Sequence, residues 1–487
     1  MQVQGLIKMN EYSGMKVLIM GLGLNGGNME AAVYLGKKGA DLCITDLRDE
    51  KILAPSINEL AKRLEGADKI RYVLGRHETD DFKKAGMVVK NPGVRPDSPF
   101  LENVKIIETD LSLFLAASPA RLTAVTGSKG KSSISTAIHR TLKMRAETGN
   151  AGKAYLGGNI TLSPLSFLDD LTETDDVVLE ISSFQLGDLK GRKKINGEAL
   201  LKPRAAVIST IMSDHLDRYG TMDLYIADKR VIYQGQDEND VLVTDADQWG
   251  QSFRDDSRSR PLVYSDSVLP EKINGGWIDG KKGFARLWKN CAGYDGVEKL
   301  TEIIPADLLV PGKHQTKNLL AAALALLDLG LPAEFIGECM GSFPGLEHRL
   351  EFFHEWNGIK FYNDTTATVP EAAAAAVRAF DRPPVLVCGG NEKKLGLQPL
   401  AEAAAEASSV VLLSGTGSEK LVPVLQEKQI KFSGPFNMLE KAVEAALEKA
   451  RPGGAVILSP GCTGFGMFLN EFDRGNKWKA EIRRQAK

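Results

Sequence analysis

The chain has 487 residues, 43% hydrophobic and 25% charged, with a formal net charge of −2. That length exceeds what one core organises, and at about 150 residues per domain it suggests three. The near-neutral charge excludes nucleic acid or an anionic membrane as the main partner, and the five cysteines show neither CxxC spacing nor a disulfide framework.

The first residues, MQVQGLIKMNEYSG, carry neither the basic nor the apolar region of a signal peptide, so a cytoplasmic protein is expected. Over residues 15–117 strand and helix alternate, which calls for a parallel sheet with crossovers. MKVLIMG reads as a strand and NMEAAVYLGKKG as an amphipathic helix ending at Gly39; ADLCITD is the next strand, and others are expected at 87–89 and 105–107. VLIMGLGLNGG holds Gly21-x-Gly23-x-x-Gly26, with Asp46 about twenty residues on, the dinucleotide fingerprint. Glycines there admit any phosphate, so the motif implies a nucleotide-like ligand rather than nicotinamide in particular. A tight turn holding no ligand is the plain alternative.

From residue 118 the alternation restarts. RLTAVTG enters TGSKGKSS, residues 126–133, and a helix continues through SSISTAIHRTLKMR. Gly127-x-x-Gly130-Lys131-Ser132 between strand and helix turns backbone N–H groups toward an anion. Lys131 is placed to neutralise β/γ phosphates and the Ser132 hydroxyl to reach Mg²⁺. The loop is shorter than the common pattern, with Val125 where its first glycine would stand.

DVVLEIS and RAAVIST read as buried central strands. Glu180 ends the first; His215, in SDHLDRY, follows the second; Lys229, in YIADKRVIY, reads as helical. Such strand ends are where open α/β sheets bind ligands, and a carboxylate with an imidazole beside a triphosphate loop suits Mg²⁺. Taken singly, each is equally a strand-end acid, a helix cap or a solvated lysine.

Residues 235–310 show weak periodicity and are expected to form smaller strands and loops. In GKHQTKNLLAA, His314 and Asn318 share one helix face, for a ligand or simply for capping. The longest apolar run, residues 319–327, is too short to cross a bilayer. FPGLEHRLEF marks a boundary, after which PPVLVCGG, SSVVLLSGTG and GGAVILSPG are strands between Ala-rich helices. The fold class is therefore α/β in three consecutive domains: Rossmann-like over 1–117, a P-loop ATPase type over 118–342, and Rossmann-like again over 343–487.

The order of AVTGSKGKSS, LEISSFQL, SDHLDRY, ADKRVIY, GKHQTKN, FPGLEHR and FYNDTTAT, over essentially the whole chain, resembles the Mur ligase family, the ATP-dependent amide-forming enzymes of peptidoglycan precursor synthesis. GLGLNGG, HLDRY, the GGNEK at 389–393 and LSPGCTGF are similar to its branch that adds glutamate, D-glutamate in the first place, to UDP-N-acetylmuramoyl-L-alanine. The resemblance implies that the glycine turn holds uridine diphosphate and that no hydride chemistry occurs. Leu24, Asn25, Asp46 and Arg48 would contact the UDP part; Asn91 and Gly93 would line the same pocket, and Asn159 would reach the sugar–peptide part. Thr126, Gly127, Ser128, Lys129, Gly130, Lys131, Ser132 and Ser133, with Asn318, Arg349 and Asp364, would bind ATP. Ser132, Glu180, His215 and a carbamylated Lys229 would hold Mg²⁺, with Lys131, His215 and Lys229 catalytic and Thr368 and Lys393 meeting glutamate.

The implied reaction passes phosphate from ATP to the alanyl carboxylate, and the glutamate amine then displaces it. The implied partners are these three small molecules, with no nucleic acid, no membrane and a monomeric chain. Four positions depart from the family pattern: Gln315 and Lys129 stand where Asn is usual, Thr366 where Lys is usual, and Gly464 where a side-chain hydroxyl is usual. The last two touch the amino-acid pocket and leave an L-glutamate-adding relative open. A folylpolyglutamate synthase would lack the first glycine turn. A non-catalytic nucleotide-binding protein would have no use for Glu180 and His215 beside Lys131.

Overall fold

The structure, a computed structural model, describes residues 12–24, 26–149, 151–160, 162–287 and 299–487. Three sheets are built in chain order, as the three alternations predict.

The first contains β1 (Lys16–Met20), β2 (Asp41–Asp46), β3 (Arg71–Leu74), β4 (Met87–Lys90) and β5 (Ile107–Glu108), in the order β3-β2-β1-β4-β5. All its pairings are parallel. The last strand is only two residues long and starts later than expected. The strand order reverses between β1 and β4, so the glycine turn after β1 and the Asn91 turn after β4 flank the crevice where such sheets bind ligands.

The second sheet has nine strands: β6 (Arg121–Thr126), β7 (Ala154–Gly158), β8 (Asp176–Glu180), β9 (Ala205–Ile208), β10 (Val241–Asp245), β11 (Arg260–Ser265), β12 (Gly275–Asp279), β13 (Lys282–Leu287) and β14 (Lys299–Ile304). Their order is β14-β13-β12-β11-β10-β9-β6-β8-β7. The stretch expected to form smaller strands and loops thus supplies five strands. β10 is fully buried and pairs with β9 and β11, and helix Gln248–Asp256 crosses between β10 and β11. Its sequence signal was masked by the short, Asp- and Gly-rich connections.

The third sheet contains β15 (Glu351–Trp356), β16 (Ile359–Asn363), β17 (Val385–Gly389), β18 (Ser409–Leu413), β19 (Phe432–Phe436) and β20 (Ala455–Leu458), in the order β15-β16-β20-β17-β18-β19. An antiparallel hairpin, β15 with β16, opens it. Its two-residue turn is Asn357-Gly358, both at positive φ (49° and 72°), the conformation that fits the twist of paired strands.

The chain divides into two compact units: one up to Ile303 with Asn318–Gly337, the other Ile304–Lys317 with Glu338–Lys487. The first two sheets share a unit because their cores are continuous. One apolar cluster includes Val17, Leu22 and Phe114 from the first segment and Phe167, Leu179 and Tyr225 from the second, with the Phe114 and Phe167 rings 5.9 Å apart edge to face. Two buried ion pairs cross the same seam. Lys90 Nζ donates to Asp188 Oδ2 at 2.6 Å and to Val94 O at 3.1 Å, and Arg192 pairs with Glu108. In the other unit, apolar clusters cover both faces of the sheet.

Cys43, Cys339, Cys388 and Cys462 are free thiols, whereas Cys291 lies outside the described residues. Among the described residues no helix is long and apolar enough to cross a membrane.

Candidate functional site

In the first unit a cavity of about 460 Å³ is lined by Gly27, Asn91 and Gly93 from the first sheet and by Gly127, Lys131, Asn159, His215 and Lys229 from the second. Seven residues singled out from the sequence therefore meet in one place. Leu24 and Arg48 are exposed beside the glycine turn, and Asn25 lies outside the described residues.

Gly21, Gly23 and Gly26 all have positive φ, between 69° and 86°, so the motif does form the expected turn. Asp46 braces it. Its Oδ2 accepts from Gly23 N at 3.1 Å and its Oδ1 from Arg48 N at 2.9 Å. The carboxylate is thus partly engaged by backbone, and any ribose contact uses its remaining lone pairs. Asn91 Oδ1 likewise accepts from Gly93 N at 2.9 Å, which shapes the facing turn.

After β6, Gly127 and Gly130 take φ of 138° and 95° and open helix Lys131–Glu147. A methyl group at Gly127 would fall 1.9 Å from Ser209 Oγ, and one at Gly130 would fall 2.3 Å from Asn318 Oδ1, so only glycine fits either position. The second of these closeness relations brings Asn318, almost two hundred residues away in the chain, onto the loop. Thr126 and Ser128 turn inward. Thr126 Oγ1 donates to Ile181 O at 2.8 Å, and Ser128 Oγ meets Met212 O at 2.9 Å and Tyr225 Oη at 2.8 Å. Their side chains hold the loop in place, Lys129 is exposed, Ser132 is half-buried and Ser133 is buried. Lys131 Nζ donates to Gly127 O and Ser128 O at 3.0 and 3.1 Å, capping the loop's own carbonyls.

Lys229 ends helix Met222–Lys229 and is 1% exposed. Its Nζ donates to Gly127 O at 2.9 Å and lies 4.4 Å from the Tyr225 ring centroid. Burial, reinforced by the Lys131 ammonium and opposed by Asp214 and Asp228, lowers its pKa to about 7. Glu180 is also buried. Its Oε1 accepts from Asn159 Nδ2 at 2.8 Å, and its Oε2 has no hydrogen-bond partner among the described residues. An orphaned buried carboxylate oxygen beside an anion-binding loop is chemistry that suits a divalent cation. Among the described residues no three His, Cys, Asp or Glu side chains cluster as metal ligands, so hydroxyl and phosphate oxygens would have to complete any such site. His215 sits at the start of helix Leu216–Tyr219 with φ 52°, its Nε2 3.8 Å from Asp214 Oδ2 and its ring 4.9 Å from that of Phe184.

The cavity also uses four residues that were given no role from the sequence: Asp110, Ser163, Asp214 and Tyr225. The last two stand within or beside quoted motifs; the first two carried no signal.

In the second unit, Asp364 follows β16. Its Oδ2 accepts from Ser459 Oγ at 2.7 Å and its Oδ1 from Leu350 N at 3.1 Å. Burial raises its pKa to about 7 against the lowering effects of those two bonds and of Arg349, which is itself exposed. Lys393 Nζ donates to Thr368 Oγ1 at 2.9 Å, so the two expected glutamate contacts do stand together. At Gly464 a methyl would lie 2.9 Å from Asn470 O, which explains why this loop carries no side chain there. Thr366 Oγ1 is committed to His348 O at 2.8 Å.

Comparison with known proteins follows the same division. Residues 15–111 match the model of the Mur ligase MurD-like N-terminal domain, residues 125–326 the Mur ligase middle domain, and residues 348–462 the Mur ligase glutamate ligase domain. The chain is 36% identical to a UDP-N-acetylmuramoylalanine–D-glutamate ligase of Treponema pallidum and 37% identical to one of Roseiflexus; in both cases 96% of this chain and 98% of the relative are covered. Among solved structures, UDP-N-acetylmuramate-alanine ligase from Thermotoga maritima has a similar fold, with a TM-score of 0.52 at 19% identity over 97% of this chain and all of that one.

Proposed function

The chain belongs to the Mur ligase family, and from that premise we propose that it joins D-glutamate to the alanyl carboxylate of UDP-N-acetylmuramoyl-L-alanine, converting ATP to ADP and phosphate, in peptidoglycan precursor synthesis. The observation that carries the reading is the single cavity whose wall combines the glycine turn and Asn91 with Gly127 and Lys131. Such a cavity lets a uridine-diphosphate handle and a triphosphate enter one space, so that the tethered carboxylate and the γ-phosphate meet. The relatives' shared D-glutamate specificity favours that enantiomer over the L form.

The roles fall to residues 1–117 for the UDP substrate, with Leu24, Asn25, Asp46, Arg48, Asn91 and Gly93, joined by Asn159 from the next segment; to 118–342 for ATP, with residues 126–133 and Asn318; and to 343–487 for glutamate, with Thr368 and Lys393. Arg349 and Asp364 serve ATP from that last segment. Two anions must approach each other, so the field between them must be positive. Lys131, released from the loop carbonyls, supplies part of it. Bound Mg²⁺ would supply the rest by neutralising the phosphates, with Glu180 Oε2, the Ser132 hydroxyl, His215 and Lys229 as the groups to hold it or its waters.

A carboxylate oxygen attacks the γ-phosphorus and ADP leaves, which makes an acyl phosphate. The unprotonated glutamate amine then attacks the acyl carbon, and phosphate leaves. An ammonium at Lys229 would repel a metal, whereas its lowered pKa supports carbamylation: the neutral nitrogen bonds to the carbon of CO₂ and sheds a proton, leaving an anion. We assign the reaction to a monomer in the cytoplasm, where ATP is supplied.

Phosphate release measured with UDP-N-acetylmuramoyl-L-alanine, ATP and either D- or L-glutamate tests the reading. Release is expected with the D form alone. Turnover with L-glutamate and none with D-glutamate would overturn it.

A further inference from the structure

One wall of the cavity is made by Gly27, Asp110 and Ser163, at the starts of helix Gly27–Lys37, helix Asp110–Ala117 and the turn Pro164–Asp170. Asp110 and Ser163 are only 5% and 4% exposed, yet among the described residues Asp110 Oδ1 and Ser163 Oγ have no hydrogen-bond partner. The carboxyl is not needed by its own helix, because Thr109 is the cap and its hydroxyl accepts from Ser112 N at 3.1 Å. Among the described residues no cation answers it either. Glu108 nearby takes Arg192 and Ser112, and Glu30 on the facing helix takes Arg63. Burial accordingly raises the proton affinity of Asp110, against the lowering effects of the Ser163 hydroxyl and of the backbone amides of Leu111 and Asp110. Gly27 packs against the carboxyl, where a methyl would press to 3.2 Å from Oδ2, and both residues line the cavity.

A buried acceptor and a buried hydroxyl, side by side and both unmet, destabilise the empty protein and fit a ligand that satisfies both. An anion would be repelled by the carboxylate, and a cation would want more than one oxygen. A neutral hydroxyl suits: its O–H donates to Asp110 Oδ1 and its oxygen accepts from the Ser163 O–H. We propose that Asp110 and Ser163 form a subsite that reads a hydroxyl of the substrate's hexose. The proposal rests on the functional reading above and adds which part of that substrate this wall recognises. The hexose is the chemically apt part. Gly27 belongs to the glycine turn and Ser163 to the loop that also carries Asn159. The wall thus joins the elements assigned to the diphosphate and to the sugar–peptide part, and the hexose links those two groups in the substrate.

The test compares kcat/KM for UDP-N-acetylmuramoyl-L-alanine with that for deoxy analogues, each lacking one free hexose hydroxyl, in the wild type, Ser163→Ala and Asp110→Asn. In the wild type one analogue should fall by about 100-fold, because a site built to bond a hydroxyl rejects the molecule without it. Each variant should lose at least about 10-fold on the parent substrate and lose most of its discrimination against that analogue. Equal losses on parent and analogues, or no analogue that the wild type rejects, would overturn the subsite. Ser163→Ala removes a single oxygen and keeps the comparison available if Asp110→Asn melts early. Failure of the underlying function would look different: no phosphate release by the wild type with the parent substrate at all.

Discussion

Replacing Lys229 probes the chemistry that burial gives its amine. With a pKa of about 7, the amine is about three-quarters neutral at pH 7.5, whereas an ordinary lysine at 10.5 is neutral to about one part in a thousand. The nucleophilic form is therefore enriched by about three orders of magnitude, and it is the form that reacts with CO₂. Labelled bicarbonate should place a carbamate carbon on Lys229, seen as a ¹³C resonance that is lost in Lys229→Ala. Because the pKa is lowered, the signal should hold above pH 7 and fade as pH drops through about 7, where the amine takes up its proton. Lys229→Ala should lose at least about 100-fold in ligation rate, and added acetate should restore part of it by supplying the missing carboxylate. If wild-type Lys229 carries no label at pH 8 and acetate leaves Lys229→Ala inactive, the reasoning from burial to carbamylation fails.

Lys131→Met should reduce phosphate release by about a thousandfold, since it removes the cation between two anions; a variant that kept its rate would sink the assignment of the loop to ATP. Gly130→Ala sets a methyl 2.3 Å from Asn318 Oδ1 at a φ of 95°, and calorimetric titration should find ADP affinity at least about 10-fold weaker. Lys90→Met leaves Asp188 buried and unpaired and should cost about 3–5 kcal/mol in urea unfolding of the first unit. Adding Asp188→Leu should return most of that loss, and equal stability of single and double variants would show that the charge pair is not what joins the two sheets.

Much of the fold was legible because its signals are local. A strand running into Gly21 or Gly127 announces a turn that needs positive φ, and that requirement is written into neighbouring residues. The fully buried strands β8 and β9 likewise announce themselves as short apolar runs. β10 and β11 were harder to see, because Asp-rich connections broke the period that would have marked them. The hairpin of β15 and β16 had its Asn-Gly signal, but it fell between FPGLEHRLEF, read as a boundary, and FYNDTTAT, and was assigned no element.

The sequence by itself determined the three successive α/β segments, the two phosphate-binding turns and the ordered set of motifs that marks the family. The tertiary structure alone decided what those side chains are free to do. Asp46 is drawn into bracing the glycine turn, Ser128 is held by Tyr225 from ninety-seven positions away, and Lys229 is stripped of water until its amine is half-neutral near pH 7. It also decided that Asp110 and Ser163, unremarkable apart, become adjacent and unmet. Backbone conformation depends on the nearest few residues, whereas solvation and hydrogen-bond partners depend on which distant segments fold against them.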